Sequence, residues 1–176
     1  MSVGVLLEAA GTVLRSAISK DRHWVDVSLD GAPPASAGEW FVGIHDLGTS
    51  PIAGQTEMLG EEFRFAAVVS YRLSRIPRDR RGGALLQFTP AVDTIQRQIM
   101  AALHGWAVIT EANTAGGFGD ETTGSEFFGG LFFDGASATD IRGGEWSAGA
   151  PDAEAWAVRS VYFRGAQRLH STQLIL

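Results

Sequence analysis

The segment 61–76, EEFRFAAVVSYRLSRI, alternates between apolar and polar side chains over almost its whole length. Alternation with a period of two is typical of a half-buried β-strand. Ordinary strands have about 5–6 residues, so a strand this long must bend or project from the body as a β arm. Pro77 would end it, because proline has no N–H to donate to a neighbouring strand. The apolar face is predicted to carry Phe63, Phe65, Ala67, Val69, Tyr71 and Leu73.

Shorter alternating runs predict further strands. The segments 23–29 and 39–46 are expected to pair as a hairpin across the turn-forming residues DGAPPASAG. The polar stretch 47–60 is predicted to be a surface loop. Three more strands are predicted at 126–134, 138–147 and 154–165, and the apolar residues within 168–176 are expected to pair in a sheet or against a neighbour.

Two segments have helical periodicity. Residues 2–19 place apolar side chains three and four apart, and residues 89–106 do the same, with Thr89 as a cap and Pro90 in the first turn. Trp106 falls on the apolar stripe of the second helix and is predicted to lie in the core. The order of elements predicts an α+β fold: a mostly antiparallel sheet with an N-terminal helix and a central helix packed on it, plus the long β arm, in a single domain over 1–176.

The charge of the chain is unevenly distributed. The net charge is −6, the window 72–81 carries five arginines and one aspartate, or +4, and the remainder is therefore −10. Domains that coat nucleic acid are basic over a whole face, so this balance argues against that class. The chain has no cysteine, which excludes disulfides and thiolate chemistry. Its first residues lack a basic region and are interrupted by Glu8, so no signal peptide is expected, and no run predicts a membrane span.

No catalytic or metal-ligating pattern emerges from the sequence. The four histidines have no metal-ligand spacing, although His45, Asp46 and Glu111 would form a site if the fold brought them together. The segment GGFGDETTG lacks the spacing and lysine of a phosphate loop, and Ser125 is not in a nucleophile elbow. We therefore predict no catalytic residue, no bound metal and no cofactor. Among the tryptophans, Trp146 lies in a loop-like context and is a candidate for a subunit interface.

The arginine cluster has three interpretations. It can be a solvated connection between a strand and a helix, a nucleic-acid site, or a surface that contacts an acidic copy of the same chain. A head-to-tail contact of the third kind closes into a ring or extends into a filament. The candidate interface residues in this cluster are Arg72, Arg75, Arg78, Arg80 and Arg81.

Several segments together resemble one protein family. They are the N-terminal helix, GEWFVGIHD, the long strand running into YRLSRIPRDRRGG, the helix DTIQRQIMAALHGW followed by EAN, and the late VYFRGAQR. The set covers most of the chain outside 115–130. It resembles the tail terminator, or tail-completion, group of minor tail proteins of tailed bacteriophages.

The resemblance implies a structural virion protein rather than an enzyme. Such proteins are small α+β domains that assemble as a ring, typically of six subunits, which caps the tail tube and joins it to the neck. The expected partners are further copies of the chain, the tail tube and neck or head-completion proteins, with genomic DNA passing through the ring without specific binding and no membrane contact. The expected location is the tail or neck of the virion, after synthesis in the host cytoplasm. A tail-tube or neck protein is the alternative, and a metal- or nucleic-acid-binding domain is a more distant one.

Overall fold

The computed structural model confirms the α+β fold. It describes residues 3–18, 24–26, 40–52, 59–72, 81–115, 125–142 and 156–169. The helices are α1 (Val3–Ala17), α2 (Arg81–Leu103) and α3 (Ala107–Ala115). The strands are β1 (Trp24–Asp26), β2 (Trp40–Pro51), β3 (Leu59–Arg72), β4 (Ser125–Ala136), β5 (Asp140–Arg142) and β6 (Trp156–Leu169).

The six strands form one sheet in the order β1-β2-β3-β6-β4, and β5 pairs with β6 beyond β4. Each pair is antiparallel except β1 and β2. The register of β3 against β6 runs without interruption from Leu59 opposite Leu169 to Arg72 opposite Trp156. These two strands are therefore the centre of the sheet.

The long strand is confirmed as β3, but its described part is not a free arm. It lies between β2 and β6 and is paired with β6 over all 14 residues. Its length is accommodated because β6 is equally long and β2 has 12 residues. Pro77 and the rest of 73–80 lie outside the described residues.

The predicted hairpin is wrong. The strands β1 and β2 pair in parallel, with Trp24 opposite Phe41, which a tight hairpin cannot produce and which needs a connection of a dozen or more residues. The antiparallel partner of β2 is β3. The predicted loop 47–60 is shorter than expected, because β2 continues to Pro51 and the Ile52 N–H donates to the Gly60 carbonyl at 2.8 Å.

The second predicted helix begins earlier than expected. The helix α2 starts at Arg81, so Thr89 is not a cap and Pro90 lies inside the helix. A proline there lacks the N–H that would bond to the carbonyl four residues earlier. The helix α3, within a stretch for which no helix was predicted, follows after Gly105, whose φ of 102° suits the left-handed residue that commonly ends a helix.

The main core lies between the helices and one face of the sheet, which we call the helix face. Burial of these side chains removes apolar surface from water and supplies most of the driving force for folding. The largest fully buried side chains of this core are Leu6, Leu7 and Leu14 from α1, Ile99 and Leu103 from α2, Ile109 from α3, and Ile44, Phe63, Phe65 and Phe163 from the sheet.

The opposite face of the sheet, the outer face, is buried at one end only. A smaller buried cluster occupies the end near β5 and consists of Phe41, Ala66, Val68, Trp156 and Val158. At the other end, Arg64 and Arg164 are directly opposite each other and exposed. The sheet therefore changes along its strands from a layer buried on both faces to one with an open, charged outer surface.

Candidate functional site

The structure describes two arginines of the predicted cluster, Arg72 and Arg81. Arg72 ends β3 and is only 9% exposed, and its guanidinium lies 4.7 Å from the centroid of the Trp156 ring. This cation–π contact is made within the chain itself. Arg81 is the first residue of α2. Arg75, Arg78 and Arg80 lie outside the described residues, as does Trp146, and their interface roles stay predictions.

The hypothetical site of His45, Asp46 and Glu111 is not assembled. Across the described ranges, no three histidine, aspartate or glutamate side chains group where they could hold a metal ion. The Asp46 carboxylate instead accepts a hydrogen bond from the Gly48 N–H at 2.8 Å. Within the same ranges, none of the helices has the length and apolar character needed to cross a membrane.

Arg159 connects the helix face of β6 to two other parts of the chain. Its Nη1 atom donates to the Asp93 carboxylate and, at 3.1 Å, to Gln96 Oε1, both on α2. Its Nε and Nη2 atoms donate to Thr139 Oγ1 at 3.3 and 3.0 Å. The Arg159 side chain is 13% exposed. A largely buried guanidinium therefore joins β6 to α2 and to the connection between β4 and β5.

The open end of the outer face carries a row of four charges that alternate in sign. In order, they are Asp134, Arg164, Glu62 and Arg64, joined by contacts of 3.5, 3.7 and 2.7 Å. The Glu62 carboxylate accepts a hydrogen bond from Arg64 Nε and thereby raises the pKa of that guanidinium above its ordinary value. The row begins with a carboxylate on β4 and ends with a guanidinium on β3.

The link between α2 and α3 is hydrogen-bonded to the backbone of β4, along the edge of that strand that does not pair with β6. The Gly105 N–H donates to the Leu131 carbonyl at 2.8 Å, and the Leu131 N–H donates to Gly105 at 2.7 Å. The Phe133 N–H donates to His104 Nδ1 at 3.2 Å, and the His104 ring meets the edge of Phe132 with centroids 6.0 Å apart. These contacts fix the positions of His104 and Gly105 against β4.

Gly130 is required for this approach. A Cβ atom at this position would lie 2.9 Å from the Gly105 carbonyl oxygen, closer than real Cβ atoms come to backbone. The absent side chain lets the link reach β4. The strand β4 has bulges between Phe128 and Phe132 and between Phe133 and Gly135, the two stretches that contain its glycines.

Three large hydrophobic side chains of the described residues are exposed: Trp106 at 63%, Phe132 at 52% and Leu47 at 46%. The prediction that Trp106 lies in the core is wrong, because the helix ends at Leu103 and the left-handed Gly105 turns the chain before the tryptophan. The apolar stripe of α2 would continue to Trp106 if the helix did, so the glycine was the signal for the break.

The position of Trp106 follows from the pairing of Gly105 with Leu131. Leu131 is fully buried, and it pairs with Gly105 in an antiparallel bridge. His104 then lies opposite Phe132, and Trp106 lies opposite Gly130. Trp106 and Phe132 are both more than half exposed.

No protein-family model matches the chain, and no curated protein matches its sequence.

Proposed function

We propose that this chain is a structural subunit of a phage tail: a tail terminator that assembles as a ring, caps the tail tube and joins it to the neck. The observation that carries the proposal is the agreement between the fold and the arrangement that the sequence resemblance implies. The fold is α+β, with an N-terminal helix and a second long helix packed on a largely antiparallel sheet.

The charge distribution suits a ring through which DNA passes. Apart from the window 72–81 the chain is −10, and a channel lined by negative charge repels the phosphate backbone and lets DNA slide. Arg72, one of the five arginines that a nucleic-acid site would use, is largely enclosed by its own chain. Both observations favour a structural role over specific DNA binding.

The oligomeric state tests the proposal directly. Size-exclusion chromatography with light scattering is expected to give one discrete oligomer, and negative-stain images are expected to show rings. Rings mixed with tail tubes should bind at tube ends only. A strict monomer that also fails to bind tubes would contradict the proposal, and polymerisation into long tubes would favour the tail-tube alternative.

A salt titration with duplex DNA tests the alternative that the chain is a nucleic-acid-binding domain. Binding that neutralises several phosphates weakens steeply as salt rises. We expect no measurable binding at low salt. Tight binding that is lost when Arg75, Arg78 and Arg80 are replaced by alanine would instead support a nucleic-acid module.

A further inference from the structure

Two residues of the link between α2 and α3, His104 and Gly105, lie along the edge of β4 that does not pair with β6, and we call them the edge cover. Gly105 exchanges both backbone hydrogen bonds with Leu131, at 2.8 and 2.7 Å. His104 Nδ1 accepts a hydrogen bond from the Phe133 N–H at 3.2 Å. Backbone groups of this kind on an edge strand are the ones that bond to a further strand. The edge cover therefore takes the place of a neighbouring strand.

Gly130 is the residue that lets the edge cover lie so close to β4. The three atoms nearest to a Cβ at this position all belong to the Gly105 backbone, and the closest, the carbonyl oxygen, would be 2.9 Å away. The φ angle of Gly130 is not in the left-handed region, so alanine fits the backbone conformation of Gly130 itself. A methyl group at this position therefore acts first on the edge cover.

An uncovered β4 edge would suit pairing with the same strand of a second copy. With Leu131 opposite Phe133 of the second copy, the groups that the edge cover now binds would bond to backbone again. This register places Phe132, which is 52% exposed, opposite its own counterpart, and pairs of aromatic side chains across strands are favourable. Asp134 would lie opposite Gly130, so the register sets no like charges directly opposite each other.

The edge of the sheet formed by β2 is a poorer partner for an uncovered β4. The Gly48 N–H is bonded to Asp46, and Pro51 has no N–H. Asp46 is also exposed beside the bulge that precedes Gly48. Bulges, charges and proline on an edge strand oppose the addition of a further strand. The pairing that the edge cover has to prevent is therefore that of β4 with β4.

We propose that the edge cover is an autoinhibitory contact, which keeps β4 from pairing with β4 of a second copy. Two copies of one strand that pair in antiparallel fashion are related by a two-fold axis, and such a contact uses the same surface on both subunits. The inference goes beyond the ring proposal and does not depend on it, because it concerns an edge that is covered within the folded chain.

The first test is Gly130→Ala, which should displace the edge cover. Its mass is measured by size-exclusion chromatography with light scattering beside that of the wild-type chain. We expect a rise of about twofold or more over whatever particle the wild-type chain forms, because a two-fold contact joins particles in pairs. An unchanged mass would overturn the inference.

A lysine substitution distinguishes pairing of the edges from misfolding. Phe132→Lys alone is the matched control and should keep the wild-type mass. Added to Gly130→Ala, it should restore the wild-type mass, because lysine on an edge strand prevents pairing. If the double variant associates as strongly as Gly130→Ala alone, the association does not use the β4 edge and the inference is wrong. Thermal unfolding of each variant verifies that it folds.

A cysteine substitution tests the register, without background because the chain has no cysteine of its own. Residues opposite each other in a pair that is not hydrogen-bonded have Cα atoms about 4.5 Å apart, a separation that a disulfide can bridge. On oxidation, Gly130→Ala/Phe132→Cys should give covalent dimers, and Phe132→Cys alone should give monomers on a denaturing gel. Equal amounts of dimer from both would mean that the edge is accessible with the cover in place, contrary to the inference.

His104→Ala separates the two residues of the edge cover. Hydrogen exchange of the Phe133 amide should become about tenfold faster, while the Leu131 amide and the mass should not change, because the Gly105 pair still blocks the edge. A rise in mass from this variant would contradict the role assigned to Gly105.

The outcomes also separate this inference from the proposed function. A monomeric wild-type chain whose mass doubles in Gly130→Ala would overturn the ring proposal and support the edge cover. Wild-type rings whose mass does not change in Gly130→Ala would do the opposite.

Discussion

Arg159 and Arg164 lie five residues apart on β6, on opposite faces of the sheet, and their guanidinium groups have opposite surroundings. Arg159 is 13% exposed and donates hydrogen bonds to α2 and to Thr139. Arg164 is 49% exposed, and its two ion pairs, at 3.5 and 3.7 Å, are longer than hydrogen bonds. The same residue type therefore joins elements on the covered face and stays accessible on the open one.

The contrast extends to the residues around each arginine. On the helix face, Phe163 is fully buried and stacks on Phe65 with ring centroids 5.5 Å apart. On the outer face, the neighbour of Arg164 on β4 is Phe132, which is 52% exposed. Stability should therefore depend on the helix face, and the open end of the outer face should be free to change without unfolding the chain.

The largest expected effect is from Phe163→Ala. Removing a buried phenylalanine loses its transfer free energy and leaves a cavity, and we expect the free energy of unfolding to fall by about 3–5 kcal/mol. Urea denaturation measures this change. The matched control is Phe132→Ala, which should cost less than about 1 kcal/mol. Equal losses from the two variants would show that the outer face is as important for stability as the helix face.

Gly165→Ala should have the next largest effect, although it adds only a methyl group. Its Cβ would lie 2.3 Å from the Phe63 ring and 2.9 Å from Leu131 Cδ2, so these core side chains must move. We expect a loss of about 3 kcal/mol, the upper end for overpacking. Ala166→Gly on the same strand removes a methyl group and creates no clash. If this variant lost more stability than Gly165→Ala, the steric crowding at Gly165 would not be the cause of the loss.

Arg159→Ala should destabilise the chain by about 2 kcal/mol, because Asp93 and Gln96 lose a charged donor in a partly buried position. Arg159→Lys keeps the charge but not the forked geometry, so it should recover only part of the loss. Thermal denaturation of both variants measures the difference. Full recovery by lysine would mean that charge alone, rather than the set of directed hydrogen bonds, holds α2 to β6.

Arg164→Ala should have the smallest effect, below about 1 kcal/mol, because exposed ion pairs contribute little in water. Raising the salt concentration should reduce even this difference, since salt screens exposed charges. Urea denaturation at low and high salt measures both. A loss as large as that from Arg159→Ala would remove the distinction between the two arginines.

The sequence predicts the elements whose own apolar side chains recur regularly, at every second residue in a strand or every third and fourth in a helix. The strand β3 and the helix α1 follow from the sequence because one face of each is apolar over most of its length. The continuation of β2 was missed because Gly48 and Pro51 are typical turn residues. Here Gly48 occupies a bulge and Pro51 an exposed position near the end of the strand.

Features that depend on distant partners could not be read from local patterns. The parallel pairing of β1 depends on which strand it meets, and no nearby residue encodes that choice. Arg159 and Asp93 are 66 residues apart, so their contact leaves no spacing to recognise. The exposure of Trp106 depends on Gly105, which was read as part of a helix rather than as its end.

The central position of β6 has a consequence for the nascent chain. The strand pairs with β3, β4 and β5, yet it is synthesised after all of them. At about 5–20 residues per second, the ribosome needs roughly 5–20 s to travel from the end of β3 to residue 169. Until β6 has been synthesised, the edges of β3 and β4 that pair with it have unpaired backbone N–H and C=O groups. The pair of β2 and β3 can form before that point, so the part of the sheet that contains β6 should form last.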